Sequence, residues 1–258
     1  MPTITSKNNG LIIDMSKLKE KKYRDKTGLF LLSGKKLLAE AVAAGIKPVY
    51  VFVTEKNLPF AERALSDCPE TELFTVSDAV IYKLTDEQSP EGICAAAKKP
   101  VYDGEIKPGS FVLICDRLSD PGNAGSVLRS ARAFGAGAVI FSSDCADIYS
   151  PKVLRGAMGA AFAHNIITGA DTMTTVSELK EKGFKVYAAA LHTDAVSLSD
   201  ADLCGSCAVV IGNEGSGLPD GVISACDKAL FIEMEPECES LNAATAASVI
   251  MYKRYTGV

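Results

Sequence analysis

Apolar runs that each stop at a polar turn and lead into a helical spacing constrain this chain more than any other feature. The fullest example begins at residue 111, where Phe-Val-Leu-Ile-Cys ends at Asp116. A turn follows over residues 119–123, Ser-Asp-Pro-Gly-Asn, then a helical spacing over 124–134 and a second apolar run over 138–141. Strand, polar loop, helix, strand is the unit that builds parallel α/β sheets. In such sheets ligands sit at the loops that leave the carboxyl ends of the strands. This loop is loaded with polar and turn-forming residues, namely Asp120, Pro121, Gly122, Asn123 and Gly125, and Arg129 lies in the helix behind it.

The same alternation runs through the chain. Residues 1–97 predict a small α/β domain, with strands at 30–32, 49–53, 72–76 and 93–97. Its helices are expected near 16–24, 36–44, 60–65 and 78–84, the last capped by Ser77. Residues 98–109, rich in Pro, Gly and charge, read as a linker. Residues 110–258 predict a second domain with strands at 111–114, 138–141, 161–167, 185–191, 208–211 and 229–232. Helices are expected there at 124–134, 152–158, 174–182, 219–225 and 241–255. The fold class is α/β, and the alternation implies a mostly parallel sheet covered on both faces.

Of 258 residues, 47% are hydrophobic and 23% charged, a core-forming composition. The net charge of −5 conceals an asymmetry. Residues 1–36 hold nine basic side chains against three acidic ones, so an acidic body carries a basic N-terminal face, which on charge alone fits a docking polyanion and a solvated helix face equally. Apolar runs fall short of the ~18 residues that span a bilayer. The N-terminus has no apolar core of a secretory signal. A cytoplasmic protein with no membrane partner is expected. Eight cysteines are scattered, and Cys204-Gly-Ser-Cys207 is the only CxxC. It lacks the second pair or the histidines a zinc site requires. No metal is expected, and the cysteines read as small buried hydrophobes of a reduced protein. His164 and His192 fit no catalytic pattern and read as structural.

Two further polar loops follow apolar runs. Gly212-Asn213-Glu214-Gly215-Ser216-Gly217-Leu218 has glycines that let a backbone approach a ligand closely, and Glu214 can accept hydrogen bonds. Neither GxGxxG nor GKS/GKT is present, which disfavours a phosphate loop and a nicotinamide-dependent oxidoreductase. Residues 233–242, Glu-Met-Glu-Pro-Glu-Cys-Glu-Ser-Leu-Asn, end where a helix begins. Ser240 reads as its N-cap. Asn242 then falls inside the first turn, where it can point at a ligand. Three loops on one sheet edge converge on one crevice.

In this order the three motifs resemble the SpoU (TrmH) family of RNA ribose 2′-O-methyltransferases of the SPOUT superfamily. The first is Asp120-Pro121-Gly122-Asn123-Ala124-Gly125 with Arg129 and Ala133-Phe134-Gly135. The second is Ile211–Leu218. The third is Ile232-Glu233-Met234 followed by Ser240-Leu241-Asn242-Ala243-Ala244-Thr245-Ala246. Residues 1–97 are similar, more loosely, to an L30e-like substrate-binding domain. The resemblance implies a deep trefoil knot and S-adenosylmethionine as cofactor. The backbone around Leu191, Gly212, Ile232 and Leu241, with Ser240, would hold it. It implies a homodimer, for which the closing helix 241–255 is a self-complementary surface. It also implies a catalytic set of Asn123, Arg129, Glu214, Ser240 and Asn242. Arg129 would bind a neighbouring phosphate and stabilise a forming alkoxide rather than act as base, since a guanidinium pKa lies above ~12. RNA phosphates would meet Lys7, Lys21, Lys22, Arg24 and Arg155. Ribosomal RNA is the expected substrate. Transfer RNA, or a non-catalytic RNA-binding homologue, are the alternatives. Ser33, Glu91 and Ala157 depart from what relatives commonly carry at those positions and bear on which RNA is chosen.

Overall fold

The structure, a computed structural model, describes every residue except Met1, Asp103, His164, Glu239 and Val258. The chain forms two compact units. One is Met1–Val101 with Asp147–Phe162, and the other is Tyr102–Ala146 with Ala163–Val258.

The first unit contains β1 (Thr3–Ile4), α1 (Gly10–Lys17), α2 (Lys21–Thr27), β2 (Leu29–Ser33), α3 (Lys35–Ala43), β3 (Pro48–Val53), α4 (Leu58–Ala64), β4 (Glu72–Val76), α5 (Asp78–Thr85) and β5 (Ile93–Lys98). The sheet order is β1-β4-β3-β5-β2. β1, β4 and β3 are parallel, and β5 runs antiparallel between β3 and β2. Ile12, Leu18, Phe52, Ile81 and Leu84 fill one core, in which the rings of Phe52 and Phe74 stack at 5.6 Å.

The second unit contains β6 (Phe111–Cys115), α6 (Pro121–Ala133) and β7 (Ala138–Ser142). α7 (Pro151–Ala157) comes next in the chain but belongs to the first unit. The second unit resumes with β8 (Asn165–Ala170), α8 (Thr172–Glu181), β9 (Lys185–Ala189), β10 (Val196–Ser197), β11 (Cys207–Ile211), α9 (Asp220–Ala225), β12 (Lys228–Phe231) and α10 (Ala243–Thr256). Its seven strands are all parallel, in the order β10-β12-β9-β11-β6-β7-β8. On one face Val112, Ile114, Ile140, Val186 and Val210 pack with α8 and α9 through Val176, Leu179 and Val222. The alternate residues Leu113, Val139 and Val209 are equally buried, as the two-sided covering of a parallel sheet requires. α6 and α10 pack against each other.

Two local expectations are corrected. The strand expected at 161–167 starts later, because Met158–Phe162 form a 3₁₀ turn and β8 begins at Asn165. Glu40 Oε2 accepts the Gly159 N–H at 2.6 Å, and Phe162 packs against Phe30 at 6.1 Å. These contacts draw the turn into the first unit. His164 lies outside the described residues.

The helix expected at 16–24 is instead two helices, α1 and α2: α1 ends at Lys17 with buried Leu18 as its cap, and Glu20 takes an extended conformation before α2 begins. The break strands the Leu18 and Lys19 carbonyls, and Arg24 Nη1 donates to both at 2.7 Å. Nη2 lies 2.6 Å and Nε 2.8 Å from Asp147 Oδ2. With 3% of its side chain exposed, Arg24 is a structural cation rather than an RNA contact. Lys7, Lys21, Lys22 and Arg155 remain exposed. Lys22 lies 3.3 Å from Glu20 and Arg155 3.3 Å from Glu87. Asp147→Ala should strand a buried guanidinium and cost about 3 kcal/mol. Lys22→Ala should stay within about 0.5 kcal/mol of the wild type. Urea unfolding followed by circular dichroism measures both.

Candidate active site

β12, β9 and β11 are adjacent and parallel, so their carboxyl ends share one sheet edge. The loops leaving them line a cleft of about 210 Å³. Ala189, Ile211, Leu230 and Phe231 make its walls largely apolar. Leu191, Gly212, Glu214, Ile232, Ser240 and Leu241 line the same cleft, so residues spread over fifty positions of sequence meet there. Leu191 is 75% exposed. A large aliphatic side chain held in water at an apolar cleft suits an apolar or aromatic ligand surface.

The loop after β11 is tightly wound. Asn213 Oδ1 accepts the N–H of Gly215 at 2.9 Å and of Ser216 at 3.2 Å, while Gly217 N–H donates to Asn213 O at 3.0 Å. The loop folds back so closely that a Cβ on Gly212 would lie 2.5 Å from the Gly217 carbonyl carbon. No other residue fits at 212 without opening the loop.

The turn expected at 119–123 is partly helix. Asp120 is the N-cap of α6, its Oδ1 accepting Asn123 N–H at 2.8 Å. Pro121 occupies the first helical position, where its missing N–H costs nothing. Asn123 therefore sits in the first turn of a helix, not in a mobile loop. Its Nδ2 donates to Glu214 Oε1, and its Oδ1 accepts from Asn242 Nδ2 at 2.9 Å.

Asn242, not Ser240, caps α10. Its Oδ1 accepts the N–H groups of Ala244 at 2.9 Å and Thr245 at 3.3 Å. This determines the direction of the whole chain of amides. Backbone donors can only meet the oxygen of Asn242, which turns its NH₂ toward Asn123. That NH₂ requires the Asn123 oxygen, which turns the Asn123 NH₂ toward the Glu214 carboxylate. Asn242 is absent from the cleft lining. Its side-chain amide is instead shared between the start of α10 and Asn123.

Arg129 is exposed, has no hydrogen-bond or ion-pair partner among the described residues and does not line the cleft. Six residues along α6 place it about 9 Å from Asn123 along the axis and about 120° around it. The helix thus gives Asn123 to the cleft loops and Arg129 to solvent.

Sequence reasoning missed the base of the site. Asp116 is buried, with Oδ1 accepting Thr172 Oγ1 at 2.6 Å and Oδ2 accepting Arg117 Nε at 2.8 Å. Arg117 has φ +54°, a left-handed conformation costing a non-glycine residue about 1–2 kcal/mol. The available signal was a carboxylate ending an apolar strand, which burial obliges to find a partner. Nothing in the sequence marks a left-handed arginine. The third loop has its own tether. Ser199 Oγ lies 2.8 and 2.7 Å from the two Glu233 oxygens, and the hydroxyls of Ser197 and Ser199 hold that carboxyl below its ordinary range. In the CxxC pair Cys204 is exposed and Cys207 buried. Burial pushes the Cys207 thiol up to about 12, which leaves it protonated and inert at neutral pH.

Residues 110–252 match the SpoU rRNA Methylase family, and residues 9–95 match the MRM3-like substrate binding domain. The chain is 32% identical over 253 residues to the 23S rRNA (guanosine(2553)-2′-O)-methyltransferase RlmP of Bacillus subtilis, covering 98% of each chain. It is 28% identical to the 23S rRNA (uridine(2479)-2′-O)-methyltransferase of Streptomyces viridochromogenes, over 97% of this chain and 90% of the relative. Among solved structures, the AdoMet-bound rRNA methyltransferase from Sinorhizobium meliloti superposes with a TM-score of 0.90 at 25% identity, covering 99% and 98% of the two chains. With three motifs in order, a seven-stranded parallel sheet and full-length relatives, the chain belongs to the SpoU rRNA methylase family.

Proposed function

We propose that this protein transfers a methyl group from S-adenosylmethionine to a ribose 2′-hydroxyl of ribosomal RNA. The observation that carries the reading is the meeting of three loops at one apolar cleft, with the amide chain Asn242–Asn123–Glu214 at its side. The residues present fit the cofactor. An apolar cleft between Leu191, Ile232 and Leu241 suits an adenine ring, and Gly212 and Ser240 supply polar atoms beside it. Bound there, the cofactor supplies a methyl group made electrophilic by a sulfonium.

The chain's own groups have to aim the hydroxyl and stabilise its oxygen. Asn123 has one amide N–H committed to Glu214, which leaves the second free for a ribose oxygen. Arg129, exposed on α6, is suited to the adjacent phosphate and to the oxygen as it gains charge. Ribosomal RNA is chosen because both curated relatives are named for 23S rRNA and align along nearly their whole length. All eight cysteines are free, as in a protein working in the reducing cytoplasm. Among the described residues, no helix is long and apolar enough to cross a membrane.

The reading includes a homodimer and a knotted second unit. α10 exposes Val249, Tyr252 and Tyr255, and Phe134, the C-cap of α6, meets Tyr252 edge-on at 5.6 Å. The exposed side chains of α10, with Phe134 packed beside them, form an apolar surface that a second copy can cover, and Arg129 lies on α6, which packs against α10. The knot is supported by α10, the last helix in the chain, packing back on α6 just after Ser240 and Leu241 have reached the cleft.

Methyl-labelled S-adenosylmethionine incubated with unmodified ribosomal RNA should place label at an alkali-resistant linkage, because a methylated 2′-oxygen cannot attack its phosphate. Label confined to a base, or found only in transfer RNA, refutes the assignment. Arg129→Ala should lower kcat by roughly 10²–10³ while leaving the cofactor Kd within twofold, as read by calorimetry. Replacing Lys7, Lys21 or Lys22 with Ala should each flatten the log–log salt dependence of RNA binding by roughly 0.7–1. Tyr252→Asp should shift the protein from dimer to monomer in sedimentation equilibrium, and a wild type that sediments as a monomer refutes the dimer.

A further inference from the structure

We infer that Arg117 is a positioning residue that latches both ends of the Gly212–Leu218 loop and so sets the shape of the cleft. Its consequence for S-adenosylmethionine rests on the function proposed above; the latch itself does not. Arg117 lies two residues beyond β6 and is held in a left-handed turn by two hydrogen bonds. Its N–H donates to Ser142 Oγ at 2.9 Å, and its carbonyl accepts from Asn213 Nδ2 at 3.0 Å. The second bond holds the start of the loop. The side chain holds the end, since Nη2 donates to the Gly217 carbonyl at 3.0 Å while Nε is fixed on Asp116 Oδ2 at 2.8 Å. Asp116 is in turn buried and anchored by the Thr172 hydroxyl at 2.6 Å.

The geometry makes the arrangement a clamp rather than a surface ion pair. Asn213 and Gly217 bridge each other across the loop, and Gly212 leans on the backbone of Gly217. Gly212, Asn213, Glu214 and Gly217 all line the cleft. A guanidinium can serve both acceptors because its nitrogens form a rigid planar fork. A single ammonium cannot hold the buried carboxylate and the loop carbonyl in the same geometry. The left-handed backbone aims the fork from the end of β6 across to the loop that follows β11, its sheet neighbour.

Arg117→Lys keeps a charge for Asp116 but loses the fork. Arg117→Asn tolerates the left-handed turn and keeps both backbone bonds while removing the cation. Hydrogen–deuterium exchange on the free proteins reads the latch without any ligand. In both variants the amides of Gly215, Ser216 and Gly217 should exchange at least tenfold faster, with β6 and β11 unchanged. Calorimetry with S-adenosylmethionine should show Kd raised about tenfold. Exchange at 215–217 equal to wild type overturns the latch. Faster exchange with Kd within twofold of a wild type that binds overturns its role in shaping the cleft. A wild type that binds no S-adenosylmethionine, with faster exchange in the variants, upholds the latch and refutes the methyl-transfer reading instead.

Discussion

Everything at the site depends on β11 lying between β6 and β9 and pairing parallel to both. Val209 stands opposite Leu113 on one side and Tyr187 on the other. Parallel neighbours end at the same edge, so a chain that inserts a late strand between two earlier ones gathers loops from distant parts of its sequence. β12 adds itself beyond β9 in the same direction, and its following loop completes the cleft. The cost is long-range pairing, which forms slowly because loop closure must precede it. The benefit is a cleft whose walls are the backbones of three separate loops standing on a rigid sheet.

Helix starts do the remaining positioning. α6 and α10 each begin with a side-chain cap, Asp120 and Asn242, which satisfy backbone donors that have no partner within the helix. In α10 the cap has a second role, because the amide that caps also hydrogen-bonds Asn123. A single orientation of each amide satisfies the whole chain, so Glu214 is reached by groups that cannot flip without abandoning a helix end. Asp116 and Arg117 anchor the opposite side by the same logic, in which a buried carboxylate is tolerable only with every oxygen partnered.

Much of this was legible in the residues. The apolar runs at 111–114, 138–141, 208–211 and 229–232 became β6, β7, β11 and β12 with small boundary changes, because a strand buried on both faces must be continuously apolar. The three polar loops were visible for the complementary reason that only turns and ligand sites tolerate such residues after a strand. Several readings failed where one residue type has two uses. Ser240 and Asn242 are both good caps, and the end of the preceding loop decided between them. Arg24 looked like one of several basic surface residues until a helix break gave its guanidinium two carbonyls and Asp147 to neutralise. Asp147–Phe162 lies inside the second domain by sequence but folds with the first unit.

The sequence by itself determined the element types, the parallel sheet and the polar loops that follow its strands, because periodicity and turn composition are local properties. Tertiary structure decided which of those residues meet. It put Asn123, Glu214 and Asn242 in one hydrogen-bonded chain and turned Arg129 to solvent. It also set Arg117 across the loop after β11. Those outcomes follow from strand order and from the demand that every buried polar group find a partner, and both are settled only when the whole sheet is assembled.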